Sequence, residues 1–509
     1  TIPGFGTDTF PDNRTLYTDS ATLASFVATD AMAVQLWTQG LCNAVQGSIC
    51  TSYPDATTTV SYVNGYLSGT NAYTDEEKAA IKDTDYARML IAFSRGQDVF
   101  DHDQDGSASD ARPWLFQDIL HSQPAPVNYG ATGGGYDEDN PNLRILVASN
   151  DGYVRMIRNN DSSGNPSGVE DWAFIPTEAL SILGEHAAFP PDENTEHATR
   201  PHPYSSDGSI TIYYNDINRD GTIDWAGDED NDDSGSVDND DKEKVWAFFG
   251  MRRGGNAYYA LDISNPDSPS LLWKLKSGDT GFEELGQSWS KPRIRYLDWG
   301  AGKKPVVVFG GGYDLQKDED SDIADGFYVG STTTVANASY VDSIGNALFV
   351  VDASNGSLVW KAVRTGDNSL DTVYVNANLK DSIPSDTTPT DDDGDGIIDH
   401  VYVGDTGGVV WRADLVGNDR STWTIKRILS VGRHVDGEPD RRFFHRPDIV
   451  PAFDSDSDGA KIPFNGVLIG SGNRADPKNV YDGDFEDEKD LFIMLKDREV
   501  VGVGDILDY

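Results

Sequence analysis

The chain contains short strings in which aspartate occupies alternate positions and a glycine follows. In the clearest string, Asp391 to Gly396 reads Asp-Asp-Asp-Gly-Asp-Gly, and Asp399 closes the loop at the ninth position. Calcium needs about six to eight oxygen ligands from a tight loop, with carboxylates at alternating positions and glycine where the backbone bends sharply. This spacing therefore predicts a Ca²⁺ site. Its predicted ligands are the side chains of Asp391, Asp393, Asp395 and Asp399 and the carbonyl oxygen of Ile397.

Four further loops have the same spacing. In one of them, Asp454, Asp456, Asp458 and Gly459 have no closing carboxylate at all, and the other three have less complete sets of oxygen ligands than the Asp391 string. The loop from Asp230 has serine in place of one carboxylate, and the loop from Asp101 lacks an acid at its ninth position. The predicted Ca²⁺ ligands of the three loops are Asp216, Asn218, Asp220, Thr222 and Asp224; Asp230, Asp232, Ser234, Ser236 and Asp238; and Asp101, Asp103 and Asp105. A solvated acidic turn is the alternative for each loop. Mg²⁺ is disfavoured because it retains water and needs strict octahedral geometry.

The overall charge is strongly negative, with 85 acidic against 40 basic residues and a formal net charge of −45. Such a surface repels phosphate backbones, which excludes nucleic acid as a partner. The sequence contains no HExxH or GxSxG motif, and the glycine-rich Phe309–Tyr313 lacks the Lys-Ser/Thr of a phosphate loop. The sequence therefore predicts a binding protein rather than an enzyme.

The first ~110 residues differ from the rest of the chain. Ala21–Trp37 and Thr74–Phe93 have the spacing and composition of helices. We therefore expect a partly helical N-terminal region over residues 1–110 and a β-rich domain with the acidic loops over residues 111–509.

Two cysteines, Cys42 and Cys50, lie close together in the N-terminal region. In an exported protein this pair predicts a local disulfide, because it closes a short loop at modest entropic cost. No apolar run reaches the length of a membrane-spanning helix, so a transmembrane segment is not expected.

From about Asn142 onward, short apolar runs recur between Gly, Asn and Asp residues, which predicts a sandwich, barrel or propeller. An imperfect repeat favours the propeller. Val350–Trp360, VVDASNGSLVW, is a strand, an Asp turn with a glycine, and a strand that ends in Trp. Tyr258–Trp273 repeats this plan, and Gly404–Leu415 and Ser149–Val154 are similar hairpins. The tryptophans are predicted to pack between blades rather than to bind a ligand.

Several segments, in order along the chain, resemble the PilY family of type IV pilus biogenesis factors. They are Trp114–Val127, Ala148–Gly152, Phe249–Asp262, Val308–Asp314 and the loop Asp391–Asp399 followed by Val401–Leu415, VYVGDTGGVVWRADL. The resemblance extends over roughly residues 90–500. The sequence departs from the family pattern at Gln117, where Gly is usual. The resemblance does not explain the acidic insert Asp216–Asp241.

The resemblance implies a mainly β fold, a modified seven-bladed, quinoprotein-like β-propeller with a small helical N-terminal region and calcium-binding loops. It also implies an exported protein at the bacterial cell surface, at the tip of type IV pili. The implied partners are the minor pilins and a host or abiotic surface. In the family, calcium at the loop that matches Asp391–Asp399 is linked to pilus extension and retraction, twitching motility and adhesion.

Two other functions fit parts of the sequence. Asp352–Trp360 resembles the docking turn of quinoprotein (PQQ-dependent) dehydrogenases, which are also propellers that use calcium. Those enzymes commonly have an adjacent cysteine pair, whereas Cys42 and Cys50 are separated and precede the β-rich domain. The second alternative is a carbohydrate- or matrix-binding surface propeller, which shares the fold and the calcium and differs only in its partner.

Overall fold

Strands form where short runs of β-branched and aromatic residues lie between turn residues. Ala347–Asp352, ALFVVD, is one example, and every residue in it is buried. The computed structural model describes residues 14–19, 23–26, 32, 36, 83–112, 115–187, 203–232, 234–238, 241–300, 302–318, 341–432, 441–455, 457, 459–474 and 490–498. Cys42 and Cys50 lie outside these residues, so their disulfide stays a prediction.

Two compact units divide the chain, residues 1–255 with 260–271 and residues 256–259 with 272–509. The first unit contains a six-stranded sheet of order β2-β1-β6-β5-β4-β3. Its strands are β1 (Leu16–Asp19), β2 (Leu23–Ser25), β3 (Ala125–Asn128), β4 (Leu143–Ala148), β5 (Val154–Asn160) and β6 (Pro166–Ile175). Strand β1 pairs with β6 in parallel and with β2 in the antiparallel direction, so residues near the N-terminus extend this sheet.

One predicted helix is partly wrong and the other is confirmed in its described part. Within Ala21–Trp37, residues Leu23–Ser25 form strand β2. Pairing with β1 extends the sheet by one strand, and this tertiary pairing outweighs the local helical pattern. Within Thr74–Phe93, helix α1 (Asp83–Arg95) is present, and residues 74–82 lie outside the described part of the chain.

The second sheet has the order β10-β9-β8-β7. Its strands are β7 (Thr211–Asn215), β8 (Lys244–Gly250), β9 (Ala257–Asp262) and β10 (Ser270–Lys276). Short helical segments connect other strands; they are α2 (Leu183–Ala187) and the 3₁₀ helices Thr177–Ile182, Arg252–Gly254, Leu315–Asp318 and Arg420–Thr422. Among the described residues, no helix combines the length and apolar character needed to cross a membrane.

The second unit contains three sheets, of order β11-β12-β13-β14-β15, β16-β17-β18-β19 and β20-β21-β22. Their strands are β11 (Arg293–Asp298), β12 (Lys303–Gly310), β13 (Ala347–Asp352), β14 (Leu358–Val363), β15 (Val373–Val375), β16 (Thr388–Thr390), β17 (His400–Gly404), β18 (Val409–Asp414), β19 (Thr424–Ser430), β20 (Asp448–Ser455), β21 (Lys461–Gly470) and β22 (Phe492–Asp497). Neighbouring strands are consecutive in sequence in all three sheets, as in propeller blades. An apolar core that includes Val350, Trp360 and Trp411 lies between the first two of these sheets.

One tryptophan in each unit connects two neighbouring sheets. Trp172 of β6 donates its indole N–H to the carbonyl oxygen of Pro266, beyond β9, at 2.8 Å. Trp273 of β10 donates in the same way to Ala353, just after β13, at 2.8 Å. The prediction that strand-end tryptophans pack between blades is therefore confirmed for Trp273.

Candidate metal-binding loops

The loop Asp391–Asp399, hereafter the Asp391 loop, connects β16 to β17 and gathers three carboxylates. Oxygen atoms of Asp391, Asp393 and Asp399 lie within 4.8 Å of one another. Gly394 and Gly396 have positive φ angles of +83° and +80°. Glycine adopts this conformation without steric cost, so the two glycines allow the tight turn that brings the acids together.

Peptide N–H groups inside the Asp391 loop point to its carboxylates. The bonds are Gly396 N to Asp391 Oδ2 at 2.7 Å, Asp395 N to Asp393 Oδ1 at 3.0 Å and Ile397 N to Asp395 Oδ1 at 2.7 Å. Each carboxylate oxygen keeps a further lone pair that a cation could use. The predicted ligand Asp395 is not in the group of three that lies within 4.8 Å.

Two strands, β11 and β16, hold the last residues of the Asp391 loop. Ile398 N donates to Tyr296 O of β11 at 3.0 Å, and Asp399 N donates to Thr390 O of β16 at 2.9 Å. The Ile398 side chain is buried in the apolar core between the two sheets. The position of Asp399 is therefore set by the folded sheets rather than by an ion.

The Asp391 loop is electrostatically strained. Burial, followed by the charge of Asp393, raises the pKa of Asp399 above its ordinary value. The one cation hydrogen-bonded to the loop among the described residues is Lys303, whose Nζ donates to Asp395 O at 3.0 Å. A divalent cation among the carboxylates would remove the penalty for ionising them. All of the candidate donors are oxygens, which suits the hard cation Ca²⁺ rather than a transition metal.

The loop from Asp101 follows the same plan. Oxygen atoms of its three predicted ligands, Asp101, Asp103 and Asp105, lie within 4.8 Å of one another. Gly106 N donates to Asp101 Oδ1 at 3.0 Å, and Asp105 N donates to Asp103 Oδ1 at 3.2 Å. Gln104, at the fourth position, has a φ of +61°, the conformation that glycine adopts at that position of the Asp391 loop.

The loop from Asp216 has these hydrogen bonds but does not gather three acids. The bonds are Gly221 N to Asp216 Oδ2 at 3.0 Å, Asp220 N to Asn218 Oδ1 at 2.9 Å and Thr222 N to Asp220 Oδ1 at 2.7 Å. The acid at the ninth position, Asp224, instead accepts N–H groups from residues 226–229. The second oxygen of Asp216, Oδ1, is buried and accepts no hydrogen bond. A bound cation would satisfy this oxygen.

The loop from Asp230 closes on a different acid from the one predicted. Asp241, not Asp238, brings an oxygen within 4.8 Å of Asp230 and Asp232. Asp241 accepts the N–H groups of Asn231 at 2.8 Å and Asp238 at 2.7 Å. Counted from Asp230, Asp241 stands at position twelve, which is the position of the closing acid in EF-hand loops. A search for a closing acid at position twelve of the loop, as well as at position nine, would have identified Asp241 from the sequence.

The Asp216 and Asp230 loops contact each other through Asn231. Asn218 Nδ2 donates to Asn231 Oδ1 at 2.8 Å, and Asn231 Nδ2 donates to Asp224 Oδ2 at 3.3 Å. The predicted ligands Ser234 and Ser236 bond to each other, from Ser234 Oγ to Ser236 O at 3.1 Å. The two loops therefore form one tandem acidic segment between β7 and β8.

In all four loops, a carboxylate accepts the N–H of the second loop residue. The pairs are Asp392 with Asp399 at 2.7 Å, His102 with Asp98 at 3.0 Å, Ile217 with Glu243 at 2.7 Å and Asn231 with Asp241 at 2.8 Å. Asp98, Glu243 and Asp241 are at most 1% exposed. Burial raises the pKa of Asp98 above its ordinary value. The sequence reasoning missed these three acids, and no spacing within the aspartate strings indicates Asp98 or Glu243.

Comparison with known proteins identifies one family. A family model described as the PilY1 beta-propeller domain matches residues 123–427. The matched segment includes the loops from Asp216, Asp230 and Asp391 and excludes the loop from Asp101.

Similar proteins carry the same description. The type IV pilus biogenesis factor PilY1 of Pseudomonas aeruginosa (strain UCBPP-PA14) is 25% identical over 348 residues, which cover 65% of this chain and 23% of that protein. A PilY1 homolog of Xylella fastidiosa is 26% identical over 294 residues, which cover 57% of this chain and 15% of that protein. The crystal structure of the P. aeruginosa PilY1 C-terminal domain matches this chain with 21% sequence identity and a TM-score of 0.39. The match covers 65% of this chain and 53% of that one. The chain spans less than a quarter of the length of the two curated relatives.

Proposed function

The chain belongs to the PilY1 β-propeller family, and we propose that it serves type IV pilus biogenesis as a calcium-binding propeller exposed at the bacterial cell surface. Relatives described as type IV pilus biogenesis factors support the pilus role. The observation that carries the proposal is the Asp391 loop. It lies within the matched residues 123–427 and holds three carboxylates within 4.8 Å of one another.

Asp391, Asp393 and Asp399 would hold the ion, together with Asp395 and the carbonyl oxygen of Ile397. Bound calcium supplies the positive charge that offsets repulsion among these carboxylates. Asp399 O accepts a hydrogen bond from Leu415 N at 2.8 Å, so an ordered loop also holds the end of the β17–β18 hairpin. An ion that binds only the folded form raises the free energy of unfolding, by about 2.7 kcal/mol at a hundredfold excess over its Kd.

The Asp101, Asp216 and Asp230 loops are proposed as additional calcium sites. In the Asp230 loop, Asp241 takes the closing position in place of Asp238. The buried, unpaired Oδ1 of Asp216 supports a cation in its loop.

At the pilus tip, such loops would make the order of the propeller depend on external calcium. We propose that this dependence regulates pilus extension and retraction, twitching motility and adhesion. The proposed partners are the minor pilins on one side and a host or abiotic surface on the other. No catalytic role is proposed.

Calorimetric titration with CaCl₂ tests the calcium site. Three proteins are compared: the wild-type chain, the Asp395→Ala/Asp399→Ala variant, and an Asp367→Ala/Asp419→Ala control. The control residues are exposed aspartates outside the four acidic loops, and they accept the N–H groups of Ser369 and Ser421 at 2.9 and 3.0 Å. Loss of one site in the loop variant alone supports the proposal, and equal binding by all three proteins contradicts it.

Co-purification tests the pilus role separately. The wild-type chain is mixed with sheared type IV pili and sedimented, with and without calcium. Sedimentation with pili, but not with flagellar filaments of similar size, supports the proposal. Failure to sediment with pili in either condition would contradict the pilus role and leave the calcium result unaffected.

A further inference from the structure

A closed ring of polar side chains connects the Asp391 loop to the sheet β20–β22. Its members are Asp392 from the loop, His400 and Tyr402 from β17, Arg412 and Asp414 from β18, Asn465 from β21 and Asp497 from β22. We call it the polar ring. It brings a loop residue into contact with a sheet that contributes none of the proposed ligands of the Asp391 loop.

Asp392 is held from two directions. Its peptide N–H donates to Asp399 Oδ2, a predicted calcium ligand, at 2.7 Å. Its carboxylate accepts from Asn465 Nδ2 at 3.3 Å, and Oδ2 lies 3.4 Å from His400 Nε2. Asp392 also stands between Asp391 and Asp393, which are both predicted ligands. Any movement of this peptide therefore moves a contact to β21.

The remaining contacts close the polar ring. Asn465 Nδ2 donates to Tyr402 Oη at 3.2 Å, and Tyr402 Oη donates to Asp497 Oδ2 at 2.9 Å. Arg412 Nη1 donates to both oxygens of Asp497, at 2.8 and 2.7 Å. On the other side, Arg412 Nε donates to Asp414 Oδ1 at 2.7 Å, and His400 Nδ1 lies 2.9 Å from the same oxygen.

Burial makes the polar ring intolerant of a missing member. His400, Tyr402, Arg412, Asn465 and Asp497 are each at most 6% exposed. Water therefore cannot easily replace a lost partner, and an unpaired buried polar group is costly. If Asp392 moves away, Asn465 loses its carboxylate acceptor. This loss would destabilise β21 and, through the hydrogen bond of Tyr402 to Asp497, also β22.

We propose that Asp392 is a positioning residue that couples calcium occupancy of the Asp391 loop to the order of β21 and β22. The inference rests on the proposed calcium site. An ion held by Asp391 and Asp393 fixes the peptide between them, and with it the carboxylate that Asn465 contacts. Without the ion, the loop moves more and the two strands exchange their amide hydrogens faster.

Amide hydrogen exchange of the full chain, in CaCl₂ and in EDTA, tests this coupling. In the wild type, calcium should slow exchange in residues 391–399 and also in β21 and β22, by about fivefold or more in the strands. In Asp392→Ala, calcium should still slow exchange in the loop, while its effect on the strands falls below about twofold. Asp392→Asn keeps an acceptor oxygen and the size of the side chain, so calcium should protect the strands less than in the wild type and more than in Asp392→Ala. This variant also covers the case in which Asp392→Ala does not fold. Asp448→Ala, an exposed aspartate of β20 outside the polar ring, should behave as the wild type.

The possible failures are distinguishable. If calcium protects the loop but not the strands of the wild type, the coupling is wrong and the calcium site stands. If the Asp392 variants lose strand protection equally in CaCl₂ and EDTA, Asp392 has only a structural role and the coupling is again wrong. If calcium changes exchange nowhere in the wild type, the proposed calcium site fails and the coupling fails with it.

Discussion

The indole ring of Trp273 lies directly against the backbone of Gly356 in the neighbouring sheet. A Cβ on Gly356 would lie 2.9 Å from Cγ and 3.0 Å from Cδ2 of Trp273. Gly356 also has a φ of +72°, which other residues adopt at a cost. The indole N–H is fixed by its hydrogen bond to Ala353, so the ring cannot move aside freely. Only glycine therefore fits this turn.

Gly356→Ala should lower the free energy of unfolding by about 2–5 kcal/mol. Strain from the positive φ contributes about 1–2 kcal/mol, and displacement of a packed indole contributes a further ~1–3 kcal/mol. Urea unfolding followed by tryptophan fluorescence measures the loss. The matched control is Gly278→Ala, because Gly278 has a φ of +84° and no neighbouring atom within 4 Å of the added Cβ. Equal losses in the two variants would contradict the contact with Trp273.

Asp241→Ala should remove calcium from the Asp230 loop, whereas Asp238→Ala should retain it. Asp241 holds two N–H groups near the start of that loop and shares the carboxylate group with Asp230 and Asp232. Calorimetry should show one fewer calcium ion bound by Asp241→Ala than by the wild type. If Asp238→Ala lost the ion and Asp241→Ala kept it, the ninth position would be the closing one, as the sequence alone suggested.

The sequence predicted those parts of the candidate sites that depend on local spacing. Alternate aspartates and a glycine with positive φ specify the turn of each loop, and Asp391, Asp393 and Asp399 come together as that spacing implies. Asp98 and Glu243 could not be predicted in this way. Glu243 reaches Ile217 because the start of β8 lies beside the loop, and that contact is set by the sheet.

The fold shows the same division between local and tertiary information. Strand runs, hairpin turns and strand-end tryptophans such as Trp273 were visible as short patterns, and the structure confirms them. Leu23–Ser25 was not visible as a strand, because its pairing with β1 depends on the parallel contact between β1 and β6. The polar ring was missed for a similar reason, since its members come from a loop and four strands.

Arg155→Met should lower the free energy of unfolding by about 3–5 kcal/mol, because it leaves the buried carboxylate of Asp151 without its paired cation, whereas Glu170 keeps Arg14 at 2.8 Å. Arg155 donates to Asp151 Oδ1 at 3.0 Å and to Glu170 Oε2 at 3.1 Å. Arg158→Met is the control, since its partner Asp171 keeps Arg144, whose Nε lies 2.8 Å away. The control should lose about 1 kcal/mol or less. Thermal and urea unfolding of both variants provide the comparison, and a loss as small as that of the control would contradict the role given to Arg155.

Asp405 should make the stability of the second unit depend on pH. Its Oδ1 accepts the N–H groups of Gly407 and Val409, and its Oδ2 accepts the indole N–H of Trp411 at 2.8 Å. Burial, followed by the charge of Asp381, raises the pKa of Asp405 from 3.8 to about 7. Lys317 Nζ lies 2.9 Å from Asp381, so this nearby cation pairs with Asp381.

The sign of the effect follows from proton binding. Because the pKa of Asp405 is higher in the folded chain than in the unfolded chain, the folded chain binds more protons between about pH 4 and pH 7. The contribution of Asp405 to the free energy of unfolding is therefore greatest at low pH and falls as pH rises through this window. Asp405→Asn cannot ionise, so the stability of the wild type relative to this variant should be greater at pH 5 than at pH 8.

Urea unfolding at several pH values, in EDTA for both proteins, measures that difference. The exposed Asp367→Asn serves as the control and should follow the wild type in parallel. Parallel curves for Asp405→Asn as well would show that Asp405 is already ionised throughout this range.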